Sequence, residues 1–187
     1  MDAPTDSPTT PPPPPERTGT LPRAVAWLAR RIDPEVIGTG GVARLRRLDP
    51  DAPAAPEYWR LLAELAGGAA GRGSERGWAL VMAGMARMAP QAHQGGHDFA
   101  PGRVLALAGF PETRLLRLLR AEPHSPTFDR AVRAAVGWLA AGARPVDWTR
   151  LAALLLTREP GRAEDIRRRI ARDYYAALDS APRDGAS

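Results

Sequence analysis

Residues 102–122 read GRVLALAGFPETRLLRLLRAE and end in a segment with two chemically opposite faces. Pro111 predicts a helix start, and at 3.6 residues per turn the leucines that follow fall on one side of the helix. Arg114, Arg117 and Arg120 fall on another side. The pattern predicts a helix that buries its leucines and presents three guanidinium groups outward. Because like charges on one helical face repel each other, an anionic partner would stabilise this arrangement.

The same spacing of apolar residues extends in both directions from this segment. It predicts helices that begin near residues 21, 42, 56, 75, 101, 111, 126, 148 and 162. No segment alternates apolar and polar residues as a half-buried strand does. The sequence therefore predicts an all-α fold of two packed helical bundles, with about eight or nine helices.

Prolines, glycines and capping residues predict where several helices begin and end. Pro34, with the glycines at positions 38, 40 and 41, is expected to stop the first helix before an arginine-rich one begins near Val42. Ser74 and Asp147 are expected to cap two later helices, because their side-chain oxygens can accept hydrogen bonds from free backbone N–H groups. The last helix is predicted to start near Arg162.

Apolar residues at helical spacing predict the core. Most of the five tryptophans, Trp78 and Trp148 among them, and the methionines at 82, 85 and 88 are expected to pack inside. The side chains of the last helix that are expected to face inward are Ile166, Ile170, Tyr174 and Leu178. On the same helix, Asp165 and Asp173 are expected to pair with nearby arginines, namely Arg168 and Arg169.

Composition divides the chain into three segments. Residues 1–20 include five consecutive prolines, Pro11 to Pro15, and are predicted to form a disordered tail. Residues 21–100 are predicted to form an N-terminal helical subdomain and residues 101–187 a C-terminal one. The boundary is placed in residues 90–100, which contain two glycines and two histidines without helical spacing and are expected to form a loop.

Charge and cysteine content limit the function classes. All 26 basic residues are arginine, and the formal net charge is +5. A basic helical protein of this size attracts nucleic acid, an anionic membrane or acidic proteins. The chain has no cysteine, which excludes disulfides and thiolate ligands, and no apolar run as long as a membrane span. A cytoplasmic protein without a membrane partner is expected.

Catalytic signatures are weak. His93 and His97 have a metal-like spacing and Asp98 follows, but Gly95 and Gly96 between them disfavour the helix that would bring both rings to one ion. The absence of lysine excludes a P-loop lysine and a Schiff base, and no glycine-rich nucleotide motif is present. A metal-dependent hydrolase that uses the two histidines is therefore the weakest hypothesis, and no cofactor is expected.

Four segments, taken in order, resemble a known family. They are GTGGVARLRRLDPDAPAAPEYWRLL (38–62), GRVLALAGFPETRLLRLLRAE (102–122), RPVDWTRLAALLL (144–156) and RRRIARDYY (167–175). Together they resemble the CasB family, the small subunit of the type I-E CRISPR surveillance complex Cascade. The resemblance implies an all-helical, non-catalytic protein that pairs with a second copy in the complex. It also implies contacts with the large and backbone subunits and with the phosphate backbone of crRNA and target DNA, which stabilise the R-loop in antiviral defence.

The resemblance also implies which residues contact nucleic acid. These are Arg46, Arg47, Arg76, Arg103, Arg114, Arg120 and Arg133, with Arg117 as a possible substitute on the 111–121 helix. Since base pairing reads the sequence in such a complex, contacts to the backbone alone are sufficient. A helical protein–protein adaptor, whose arginines only keep it in solution or meet an acidic partner, is the alternative that remains open.

Overall fold

The computed structural model describes residues 20–66 and 75–180, and the regular secondary structure in these ranges is helical apart from one isolated bridge. The described residues form nine α-helices and one short 3-10 turn at His97–Phe99. The helices are α1 (Leu21–Arg31), α2 (Pro34–Arg46), α3 (Pro56–Ala66), α4 (Glu75–Met88), α5 (Pro101–Leu107), α6 (Glu112–Arg120), α7 (Pro126–Ala141), α8 (Trp148–Leu156) and α9 (Pro160–Ser180). The predicted all-α class is confirmed. The predicted tail, except Thr20, and the predicted cap at Ser74 lie outside the described residues.

Capping residues start several helices as predicted. The Asp147 side chain accepts a hydrogen bond from the Thr149 backbone N–H at 3.0 Å and caps α8, and Ser125 caps α7 through Phe128 at 3.1 Å. The start of α2 differs from the prediction. Asp33 caps a helical segment that begins at Pro34, and Gly38, whose backbone is non-helical at a φ of 73°, breaks α2 with a kink before its arginine-rich part.

The core contains the predicted tryptophans and methionines. Trp78 and Trp148 are fully buried, and Met82, Met85 and Met88 are also buried. They lie where α4 packs against α7 and α8. Trp59 is an exception, because it is 46% exposed and its indole N–H donates to the Pro53 carbonyl at 2.9 Å.

The closest helix crossing joins α5 to α9. Gly102 lies against the α9 backbone, and a β-carbon at this position would collide with the Ile170 carbonyl oxygen. The Tyr174 hydroxyl donates to the Phe110 carbonyl at 2.6 Å and ties α9 to the turn that precedes α6. This crossing fixes the position of α6 relative to the core.

Three predictions for α9 are wrong in detail. Leu178 is 43% exposed because it lies beyond the last buried residue of the helix, Ala177. Asp173 pairs with Arg150 of α8 at 2.9 Å, and Arg168 pairs with Glu164 at 3.0 Å. Asp173 faces α8, which spacing along α9 does not show, whereas Arg168 pairs within α9 with Glu164 and not with Asp165.

Helices from both predicted subdomains share one hydrophobic cluster. Helix α1 packs on α8, α4 packs on α7 and α8, and the loop residue His93 forms a bridge with Val146. The division near residue 100 stays a prediction. A search of the described helices for one long and apolar enough to cross a membrane finds none.

Candidate nucleic-acid interface

Helix α6 has the two faces predicted from its sequence. Leu115 and Leu118 are buried, whereas Arg114, Arg117 and Arg120 are exposed. No carboxylate in the described part of the chain forms a salt bridge with these three arginines. Their guanidinium groups are therefore available to an external anion.

Arg114 has one specific neighbour, the indole ring of Trp138 on α7. The guanidinium carbon lies over this ring, 5.5 Å from its centroid, within the range of a cation–π interaction. Trp138 is half-buried, its Nε1–H donates to the Ala108 carbonyl at 2.8 Å, and Phe110 meets the ring edge-on at 5.8 Å. The hydrogen bond to Ala108 and the contact with Phe110 thus fix the indole, and the Arg114 guanidinium lies over its ring.

A second group of arginines lies in a groove between α2, α4 and α7. Arg46, Arg87 and Arg133 line it above an apolar floor to which α4 and α7 contribute. The Arg46 Nε–H donates to the Ala86 carbonyl at 2.7 Å, and Arg87 donates to the Arg46 carbonyl at 3.5 Å. The structure therefore brings together two of the predicted residues, Arg46 and Arg133, from distant parts of the sequence.

Arg87 and Arg114 both lie against α7. A β-carbon placed on Gly137 would lie 4.0 Å from the Arg87 Nη1, and the next residue of α7 is Trp138, which carries Arg114. Arg87 and Arg114 thus lie against consecutive residues of the same helix. We call the set of Arg46, Arg87, Arg133 and Arg114 the arginine strip; none of its members forms a salt bridge with another described residue.

Arg87 was missed by the sequence reasoning. It lies near the end of α4, between the buried residues Ala86 and Met88, in a helix that otherwise reads as core. An arginine in such an apolar helix must direct its charged end to the surface, because an unpaired buried charge is costly. An arginine within an otherwise apolar helix is therefore the sequence signal that indicates Arg87.

Arg76 has a different environment from the strip. Its guanidinium contacts the carboxylates of Asp51 at 2.6 Å and Asp129 at 2.5 Å, and its side chain is mostly buried. The hydrogen bond to Asp51, followed by the contact with Asp129, raises the pKa of Arg76 above its ordinary value despite burial. In turn Arg76, with a smaller effect from Arg133, lowers the pKa of Asp51. Arg76 joins the 49–55 loop to α4 and α7, and its charge is already compensated.

The remaining predicted residues lie apart from the strip. Arg103 of α5 is half-buried and lies 3.5 Å from Asp98, and Arg47 is exposed with its Nε–H on the Ala43 carbonyl at 3.2 Å. Arg120 lies near the hydroxyl of Tyr175, whose pKa is raised chiefly by its hydrogen bond to Glu112 and lowered slightly by Arg120. The structure does not bring these three residues together.

The histidine pair does not assemble a metal site. The Nδ1 atom of His93 accepts the Trp148 backbone N–H at 3.2 Å, and His97 is exposed. Among the described residues, no three histidine or acidic side chains lie close enough together to hold an ion. His93 instead connects the 90–100 loop to the start of α8.

A family model matches most of this architecture. The model for the CRISPR-associated protein Cse2 matches residues 41–175, which include every arginine of the strip. The chain belongs to the Cse2 family. Cse2 is CasB, so the resemblance inferred from the four sequence segments is confirmed. Cse2 proteins are structural subunits of the type I-E CRISPR Cascade, and other Cascade subunits are therefore partners. Comparison with curated proteins and with solved structures finds no match.

Proposed function

We propose that this Cse2 protein binds the sugar-phosphate backbone of nucleic acid within Cascade, without sequence preference. The observation that carries the proposal is the arginine strip, four arginines against or beside α7 that form no salt bridge with a described carboxylate. Arginine donates two parallel hydrogen bonds to a phosphate and stays charged at any pH at which the protein is folded. Because several guanidinium groups can each contact one phosphate, such a strip suits the backbone of a nucleic acid better than a single anion.

In Cascade the crRNA recognises the target sequence, so the protein needs to contact only the nucleic-acid backbone. The crRNA reads the target by base pairing, and opening the DNA duplex is nearly balanced in free energy, so a few protein contacts to the strands shift the balance. The strip supplies such contacts and thereby stabilises the R-loop in antiviral defence. Further contacts come from Arg47, Arg103, Arg117 and Arg120 elsewhere on the surface, and the protein has no catalytic step of its own.

The same proposal includes the arrangement of the subunit in the complex. Two copies pair and contact the large and backbone subunits, in the cytoplasm, where the crRNA and target DNA are bound. In such a pair, the arginine strips of the two copies would together contact a longer stretch of nucleic-acid strand than one copy can.

The test uses two triple variants that remove the same charge. The strip variant combines Arg46→Ala, Arg87→Ala and Arg114→Ala. The control variant removes three exposed arginines from α1 and α3 and combines Arg23→Ala, Arg30→Ala and Arg60→Ala. Binding of single-stranded DNA is measured against salt concentration with the chain alone, and R-loop lifetime is measured in the reconstituted complex. Each phosphate contact adds about 0.7 to the salt slope on a single strand.

The strip variant should flatten the slope by about two units and shorten the R-loop lifetime, whereas the control triple should change the slope by less than about half a unit. Equal flattening by both triples would mean that net charge alone attracts DNA, and the proposed site would be wrong. No binding by the native chain at about 50 mM salt, with an unchanged R-loop lifetime for the strip variant, would contradict the function itself.

The adaptor alternative has one observation in its favour. Leu107 at the end of α5 and Leu178 near the end of α9 are 47% and 43% exposed, and Tyr175 of α9 is also exposed. Exposed apolar side chains of this size suit a protein partner. On the adaptor hypothesis, Leu107→Ser with Leu178→Ser would prevent co-purification with the other Cascade subunits, while the strip variant would behave like the native chain.

A further inference from the structure

We propose that Trp138 is a positioning residue of the nucleic-acid interface, because its ring holds the Arg114 guanidinium ready for a phosphate. This inference rests on the proposed function and adds to it a residue that carries no charge. The Arg114 guanidinium carbon lies 5.5 Å from the centroid of the Trp138 ring. A cation–π contact uses the flat face of the guanidinium, so the N–H donors along its edge remain free.

The ring can position Arg114 because two contacts hold the ring itself. Its Nε1–H donates to the Ala108 carbonyl at 2.8 Å, and it makes an edge contact with Phe110, whose carbonyl in turn accepts the Tyr174 hydroxyl at 2.6 Å. These contacts connect α7 to the turn between α5 and α6 and then to α9. An arginine side chain alone loses much conformational freedom when it binds, and a fixed platform reduces that loss.

Charge does not explain the placement of Arg114 over an indole. No described carboxylate pairs with it, although Glu112 lies two residues away on α6 and is engaged by the Tyr175 hydroxyl at 2.7 Å. The guanidinium is therefore oriented by a neutral ring, and its donors have no competing anion within the described chain. This is the arrangement that a strand of phosphates requires from a pre-oriented cation.

The experiment is a double-mutant cycle on the full chain. Affinity for single-stranded oligo-dT is measured for the native protein, Arg114→Ala, Trp138→Leu and the combination of the two. A cation–π contact at an exposed site corresponds to about a threefold change in affinity. Trp138→Leu should weaken binding about threefold when Arg114 is present and have no effect in the Arg114→Ala background.

A second cycle with Arg117→Ala is the matched control. Arg117 lies on the same helix and is exposed, and no ring contact connects it to Trp138. The loss caused by Trp138→Leu should be the same whether or not Arg117 is present. A loss that is equal in the Arg114→Ala background would show a merely structural role for Trp138 and overturn the inference.

A further variant series keeps the test valid if Trp138→Leu does not fold. Fluorinated tryptophans at position 138 keep the shape of the ring, and each added fluorine makes the electrostatic potential of the ring face less negative. Affinity should fall with each added fluorine, and Trp138→Phe, which keeps an aromatic face, should bind less tightly than the native protein but more tightly than Arg114→Ala. Constant affinity through the series would overturn the inference. If Arg114→Ala weakens binding and no Trp138 variant does, the inference fails and the proposed function stands.

Discussion

Two arginine–tryptophan pairs in this protein have nearly the same geometry and different surroundings. Arg31 lies 5.6 Å from the ring of Trp27, and Arg114 lies 5.5 Å from the ring of Trp138. Arg31 also donates to both carboxylate oxygens of Glu64, at 3.1 and 3.3 Å, and Trp27 is only 2% exposed. The comparison teaches that a stacked arginine is available to a ligand only when no internal anion already occupies its donors.

The same distinction separates two regions of the molecule. On α1 to α4, Arg31, Arg44 and Arg76 each contact carboxylates, and we call them the closed arginines. The arginine strip and the rest of α6 contact none, and we call those arginines open. The three arginines of α6 thus differ from the closed ones in that their guanidinium groups meet no described carboxylate.

The largest effect on stability is expected where a closed arginine is removed. Arg76→Ala leaves the buried carboxylate of Asp129 without its cation and should lower the free energy of unfolding by about 2 kcal/mol, measured by urea denaturation. Arg87→Ala, on the same helix but open, should lower it by less than about 0.5 kcal/mol. If Arg76→Ala folds with native stability and loses DNA affinity, Arg76 belongs with the open arginines.

Acid should break the ion pair between the closed arginine Arg44 and Glu57, because it protonates the Glu57 carboxylate. The hydrogen bond from Arg44 is the main cause that lowers the pKa of Glu57 below its ordinary value of 4.5. Since the folded state holds this carboxyl deprotonated more strongly than the unfolded state, its stabilisation is present above pH 4.5 and is lost as the pH falls through the lowered pKa. Glu57→Gln should cost about 1 kcal/mol at pH 7 and flatten the fall of stability in acid. An unchanged acid profile, measured by urea denaturation at several pH values, would contradict this.

Single open and closed arginines should differ in their effect on DNA binding. Arg114→Ala and Arg47→Ala, both of exposed side chains, should weaken binding to every sequence alike and make the salt slope shallower by about 0.7 units. Arg31→Ala, which removes a closed arginine, should leave the slope unchanged. Shift assays on single-stranded DNA at several salt concentrations measure the slope, with circular dichroism as the check on folding. Equal slopes for all three variants would remove the distinction.

The smallest effect is expected when a closed pair is opened without moving it. Glu64→Gln removes the carboxylate from Arg31 and should change the free energy of unfolding by less than about 1 kcal/mol. The salt slope for DNA should become steeper by well under one unit, because Arg31 is mostly buried. A gain of a full unit in the same shift assays would show that the carboxylate alone, and not burial, keeps Arg31 from DNA.

Local signals determined what the sequence could predict. The starts of α5, α7 and α8 follow from a proline or a capping side chain within three residues, and the two faces of α6 follow from spacing alone. The interruption at Gly38 follows from the glycines, whereas the helical segment that begins at Pro34 does not. Spacing also does not separate Leu178, which is exposed, from Ala177, which is buried.

The partners of the arginines could not be predicted in the same way. Glu64 is 33 residues from Arg31, and Asp129 comes from a different helix than Arg76, so no periodicity connects them. Closed and open arginines look identical in the sequence, and the prediction treated Arg76 and Arg114 alike. Only the packing of α4 against α7 and of α6 against α7 separates them.

The anchored ring of Trp138 has an optical consequence. Trp138 is half-buried, whereas the indoles of Trp27, Trp78 and Trp148 are buried and that of Trp59 is exposed. In a Trp59→Phe background, the emission that solvent quenchers can reach would come mainly from Trp138. A strand that settles on α7 would change that emission, so the unlabelled protein carries its own fluorescent reporter beside the surface where we expect DNA.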